Sequence, residues 1–156
     1  PPDLETSGLP PMGAAEKVRN EVERLGMDIT HHMLEFYAPF LNAIGAVKSS
    51  DLLSLRSQSE VLVAGIKVAM QTPPVRSGRR VIFLTLDDGY GCTDSTFFSG
   101  AQEGFASTLY GSSILLVRGK TRRTGDRGIS INASGAWDLR QAYEKWSRKL
   151  LETAAK

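Results

Sequence analysis

The chain is expected to fold as a mostly β protein with flanking helices, its strands closing into a small five-stranded barrel. Three observations predict this. From Glu60 onward the apolar residues recur at every second position rather than every third or fourth. Runs of this kind are separated by Gly- or Pro-containing turns, with one short helical stretch before the last two. On either side the period returns to that of an amphipathic helix.

Residues 1–13 hold four of the chain's seven prolines, with Gly8 and Gly13, and read as a linker that something larger is expected to precede. Residues 14–58 read as a helical element. Val18, Val22 and Leu25 recur at helical spacing, and Gly26 is placed to end that helix. A second helix is expected after Thr30, whose hydroxyl would cap it, with Met33, Leu34, Phe36, Tyr37, Phe40, Leu41 and Ile44 on its apolar face. Pro39 would kink it and Gly45 would close it. A third, short helix fits Ser50 to Arg56, with Leu52, Leu53 and Leu55 inside.

Residues 59–139 carry the barrel. The first strand, Glu60 to Thr72, places Leu62, Ala64, Ile66, Val68 and Met70 on one face, and Gly65 is expected to mark a bulge. Pro73 and Pro74 end it. The second strand, Arg79 to Asp87, puts Ile82, Leu84 and Leu86 on one face and Val81, Phe83 and Thr85 on the other. The third runs from about Thr93 to Phe98, with Phe98 expected in the core and Phe97 outward. Ala101 to Tyr110 reads as a helix with Phe105 and Leu109 inward. Ser113 to Thr124 and Gly128 to Ala136 complete the strands around a tight turn. Residues 140–156 continue a final amphipathic helix that starts near Trp137 and carries Leu139, Tyr143, Trp146 and Leu150. Three strands, a helix and two strands is the order of an OB-fold, a five-stranded Greek-key barrel.

A chain of 156 residues, 41% hydrophobic and 23% charged, has room for one domain with a real core. Its net charge of +2 is low for a protein that coats duplexes, so nucleic-acid affinity would have to come from local placement of charge. The single Cys92 excludes an internal disulfide and a multi-cysteine zinc site. No apolar run is long enough to span a bilayer and no signal pattern opens the chain, so a cytoplasmic protein without membrane contact is expected.

Catalytic candidates are weak. Asp87 and Asp88 stand at a strand end before Gly89, where aspartate ordinarily bonds turn amides, and adjacent strand residues point to opposite faces. His31 and His32 lack companion ligands, and Cys92 lacks a flanking base. No phosphate loop or nucleophile elbow is present. The expectation is no catalytic residue, no metal and no cofactor.

The basic residues are more specific. Arg118, Lys120 and Arg122 alternate along the fourth strand and share a face, followed by Arg123 and Arg127. Arg76, Arg79 and Arg80 lie in and after the loop joining the first two strands. In an OB-fold those two loops border the groove that binds oligonucleotides. Lys67, Phe83 and Phe97 complete the expected nucleic-acid-binding set, the two rings as stacking platforms. The interior is expected to be purely oily.

These residues carry a family resemblance. The segments E-V-L-V-A-G-I-K-V-A-M-Q-T-P-P-V-R-S-G-R-R-V-I-F-L-T-L-D-D-G and I-L-L-V-R-G-K-T-R-R-T-G, a later S-G-A-W-D-L, and upstream E-V-E-R-L-G-M-D-I-T-H-H-M-L-E-F-Y resemble the C-terminal part of bacterial C-family DNA polymerases. The type is the polymerase III alpha subunit, and within it the error-prone branch. The likeness spans about residues 9–139. His31-His32-Met33 departs from the His-Pro common in alpha subunits, and Tyr90 and Cys92 are unusual in their turn. The helix from Arg140 onward has no counterpart in the resemblance, and the palm carboxylates of such polymerases have none here.

The resemblance implies a non-catalytic OB module, a fragment or separately encoded piece of a DNA polymerase. Its expected partner is the single-stranded template during damage-tolerant replication and repair synthesis. Two other readings stay open: docking to a polymerase accessory protein or sliding clamp, and binding of structured RNA as an anticodon-binding module does.

Overall fold

The structure, a computed structural model, describes residues 14–73, 80–98, 100, 104–125 and 128–155. Helix α1 (Ala14–Phe36) leads to α2 (Ala38–Ile44) and a 3-10 helix (Ser49–Ser54). Strands β1 (Glu60–Gln71), β2 (Ile82–Asp87) and β3 (Cys92–Phe97) follow. Helix α3 (Ala106–Gly111) precedes β4 (Ile114–Arg123) and β5 (Ile129–Asp138), and α4 (Leu139–Ala155) comes last. The strands close a barrel in the order β1-β2-β3-β5-β4. Only the β3–β5 pair is parallel. The expected OB-fold, a mostly β core with flanking helices, is the observed one.

Two apolar cores hold it. Inside the barrel lie Val61, Val63, Ile82, Leu84, Leu86, Phe97, Leu115, Val117 and Ile131, closed below by Leu109 of α3 and Leu52 of the 3-10 helix. Fully burying each such side chain contributes about 1.5–3 kcal/mol. The interior is not purely oily, however: Thr93, Ser95 and Thr121 are also buried. Thr121 is satisfied, donating to the Arg56 carbonyl at 2.7 Å and accepting from the Ser59 amide at 3.0 Å. It thereby ties β4 to the segment before β1.

The second core lies outside the barrel wall. Leu34 and Phe40 meet Leu139 of α4 over Ala64, Ile114 and Leu116. Tyr143 and Trp146 extend it by ring contacts to Phe40 at 6.0 and 5.3 Å, so Trp146 is a packing residue. The helical layer thus covers part of β1 and the start of β4. Among the described residues, that layer does not cover the outer wall of β2, β3, most of β5 or the rest of β4.

Several local expectations are corrected. Helix α1 continues through Gly26, because the apolar period runs on through Ile29 and Met33; a mid-helix glycine costs only about 1 kcal/mol. Thr30 is buried in mid-helix rather than capping one. Pro39 sits in the first turn of α2, where its missing amide costs nothing, and Gly45 closes that helix in the left-handed conformation, φ 77°. Leu53 is exposed, not inside. On β1 the bulge lies between Lys67 and Ala69. Gly65 instead permits close strand contact, since a Cβ there would stand 2.8 Å from the Asp87 carbonyl oxygen. The bulge switches phase: Leu62, Ala64 and Ile66 face the helices, whereas Met70 packs on the barrel core and Val68 is exposed. Trp137 belongs to β5, not to the last helix.

Candidate nucleic-acid interface

The open wall is organised by strand register. Phe83 stands opposite Thr96, Thr96 opposite Asn132, Asn132 opposite Lys120, and Lys120 opposite Glu60. The next rung runs Thr85, Asp94, Ser130, Arg122. Neighbouring strands lie about 4.8 Å apart, so three spacings put Phe83 and Lys120 roughly 14 Å apart along the wall. One continuous surface therefore carries a ring at one side, cations at the other and hydroxyl and amide groups between them.

Phe83 occupies the phase expected of it. Ile82, Leu84 and Leu86 fill the barrel, and Phe83 is 44% exposed. The pair Phe97-Phe98 is the reverse of expectation: Phe97 is 0% exposed and Phe98 44%. Phe97 pairs with the buried Ile82, so its ring points inward and offers no stacking face. Phe98, one residue past β3, takes the outer phase, diagonal to Phe83.

The cations divide by what already holds them. Lys120 and Arg122 are exposed on the outer face of β4. Arg118 shares that face, but its Nη2 pairs with Glu60 Oε1 at 3.1 Å, both side chains being more than half exposed. Such pairs contribute about 0–1 kcal/mol and are readily exchanged. Arg123 donates to the Leu53 and Leu55 carbonyls, each at 3.1 Å, and braces the 3-10 segment against β4. Lys67 donates to the Leu109 and Tyr110 carbonyls at 2.8 and 3.3 Å, satisfying the last turn of α3. Lys67 and Arg123 are thus engaged with backbone. Arg80 is exposed just before β2. Arg76, Arg79 and Arg127 lie outside the described residues.

Two carboxylates on the wall escaped the sequence reading because they come from other strands. Glu60 faces Lys120, and Asp94 accepts from the Thr85 hydroxyl at 2.8 Å. The surface is mixed in sign, with its positive side at Lys120 and Arg122.

The turn after β2 is structural. Asp88 accepts from the Ser49 amide and hydroxyl, both at 2.7 Å, and from the Tyr90 amide at 3.0 Å. Asp87 accepts from the Gly89 amide at 2.8 Å. His31 lies edge-on to Tyr90 at 5.0 Å, and Lys48 Nζ sits 4.6 Å from the same ring. These contacts pin the hairpin to the helical layer. Cys92 is exposed beside that turn, and partial burial together with Asp87, Asp94 and Asp88 raises its pKa above the usual thiol value. A raised pKa opposes nucleophilic use. No group of three His, Cys, Asp or Glu capable of holding a metal occurs among the described residues. Among them, no helix is long and apolar enough to cross a membrane.

Residues 61–139 match the family model described as an OB-fold nucleic acid binding domain (tRNA anti-codon). The chain is 30% identical over 135 residues to the error-prone DNA polymerase of Caulobacter vibrioides, covering 86% of this chain and 12% of that protein. It is 32% identical over 112 residues to the error-prone DNA polymerase of Rhodopirellula baltica, covering 72% and 10%. It is 30% identical over 138 residues to the DNA polymerase III subunit alpha of Vibrio cholerae, covering 86% and 12%. The chain therefore spans about a tenth of the length of these curated relatives. The expected resemblance to the OB region of the polymerase III alpha type is met by these matches.

Proposed function

We propose, from the premise that the chain belongs to the OB-fold nucleic acid binding domain family, that its open wall holds single-stranded DNA without sequence preference. The strand would be the unpaired template of an error-prone polymerase during translesion synthesis, the relatives' names supplying that context. The module contributes binding rather than bond chemistry. The observation that carries this reading is the rung Phe83–Thr96–Asn132–Lys120, which joins a stacking ring to a cation through polar groups.

Each part has a physical role. Phe83, with Phe98 at the diagonal in place of Phe97, offers π-faces that accept any base; a stacked base is worth about 1–3 kcal/mol. Lys120, Arg122 and Arg118 take the phosphates, Arg118 by exchanging its Glu60 partner. Arg80 shares that role, and Arg76, Arg79 and Arg127, which lie outside the described residues, are assigned it from the sequence, while Lys67 and Arg123 serve chiefly the fold. Thr96, Ser130 and Asn132 supply hydrogen bonds that fit either a base edge or the backbone.

Fluorescence anisotropy with a labelled oligothymidylate at two salt concentrations tests the proposal. Binding that weakens steeply with salt supports it, because released counterions drive such association. No binding at low salt overturns it. Tighter binding of a tRNA hairpin than of the oligothymidylate would transfer the site to RNA.

A second reading has one specific observation behind it. Val18, Val22, Leu25 and Ile29 form an exposed apolar stripe on α1, a face suited to an accessory protein or clamp. Docking through that stripe predicts weak salt dependence.

A further inference from the structure

We infer that the strand path continues beyond Phe83 into a cleft beside Trp137, whose indole stacks a further base. This rests on the single-stranded reading above and extends it to a residue that the sequence placed at the start of the last helix.

The cleft, of about 400 Å³, is lined by Trp137, Phe105, Arg118, Lys120, Asn132 and Glu60, with Ser134 at its edge. It shares Asn132 and Lys120 with the Phe83 rung, so the two sites are one continuous surface. A bulge between Arg118 and Gly119 shifts the β4–β5 register there, and bulges bend the strands that carry them. The cleft opens at that point.

The outer edge of the indole lies over the backbone of its own strand. Gly135 leaves room for the ring: a Cβ there would stand 2.8 Å from the indole Cη2. Phe105 meets the ring edge-on at 5.8 Å and 69°, fixing one side. Trp137 nevertheless stays 40% exposed. A rigid ring with an open side, next to two cations, has the chemistry of a nucleotide subsite: stacking for the base and charge for its phosphate. Lys120 has no ion-pair partner among the described residues, whereas Arg118 has Glu60. The occupant that complements this charge is the next stretch of the same single strand.

The test uses the full chain carrying Trp146→Phe, a conservative change in the helical core that leaves Trp137 as the only indole. Its emission is recorded during an anisotropy titration with labelled oligothymidylate, and Trp137→Leu is titrated in parallel. The inference expects emission quenching that saturates together with the anisotropy. It also expects Trp137→Leu to weaken binding roughly 5- to 150-fold. Saturating anisotropy with unchanged emission and unchanged affinity of the leucine variant overturns the inference and leaves the Phe83 wall intact. Absence of any anisotropy change overturns the reading of the wall, and the cleft falls with it.

Discussion

Replacing Arg118, Lys120 and Arg122 together by alanine removes the positive side of the wall without touching either core. All three side chains are exposed on the outer face of β4, where substitutions usually change stability by less than about 0.5 kcal/mol. For single strands each phosphate contact contributes about 0.7 to the salt slope, so losing three flattens it by about 2.1. Arg118 is shared with Glu60, and if its contact is discounted the change falls to about 1.4. Between 50 and 200 mM salt the native chain should then lose roughly 7- to 18-fold more affinity than the variant. Anisotropy titrations across that range, with thermal melts to confirm folding, read this directly. A folded variant with the native slope would refute the placement of phosphates on β4.

Three other perturbations separate the roles assigned to neighbouring groups. Glu60→Gln removes a carboxylate from the cleft and frees Arg118, so oligothymidylate should bind several-fold tighter at low salt; weaker binding in the anisotropy titration would make Glu60 a contact rather than an obstacle. Phe83→Ala should cost about 1–3 kcal/mol of binding with little change in melting, whereas Phe97→Ala should cost about 3–5 kcal/mol of stability. The opposite pattern in paired melts and titrations would reverse the two rings. The Cys92 thiol, raised by burial and nearby carboxylates, should alkylate more slowly at pH 8 than a free thiol and gain rate as pH rises through its pKa. Asp87→Asn with Asp94→Asn should speed the reaction at pH 8, and iodoacetamide kinetics follow both effects.

The barrel was legible because β2 alternates cleanly: Ile82, Leu84 and Leu86 set one phase, and Phe83 had to take the other. On β3 that signal is missing. Its inward residues are Thr93, Ser95 and Phe97, and two small polar residues gave no phase with which to decide between adjacent phenylalanines. On β1 the Lys67–Ala69 bulge changes the phase midway, a backbone event that leaves no mark in an apolar pattern.

The cations of β4 were readable as a stripe, but their partners were not. Glu60 lies 58 residues before Arg118 in the chain and meets it only because β1 and β4 close the barrel. The backbone duties of Lys67 and Arg123 arise the same way, from contacts across 42 and 70 residues. Trp137 looked like the start of a helix because Leu139, Tyr143 and Trp146 follow it at helical spacing. Its place on β5 depends on register against Leu116.

Amide shift mapping of the isotope-labelled chain with oligothymidylate at low salt locates a bound strand most directly. Binding on the open wall predicts the largest shifts at Phe83, Thr96, Ser130, Asn132 and Lys120, with Leu34 and Phe40 of the helical layer unmoved. Shifts confined to the exposed stripe of α1, or none at all, would contradict it.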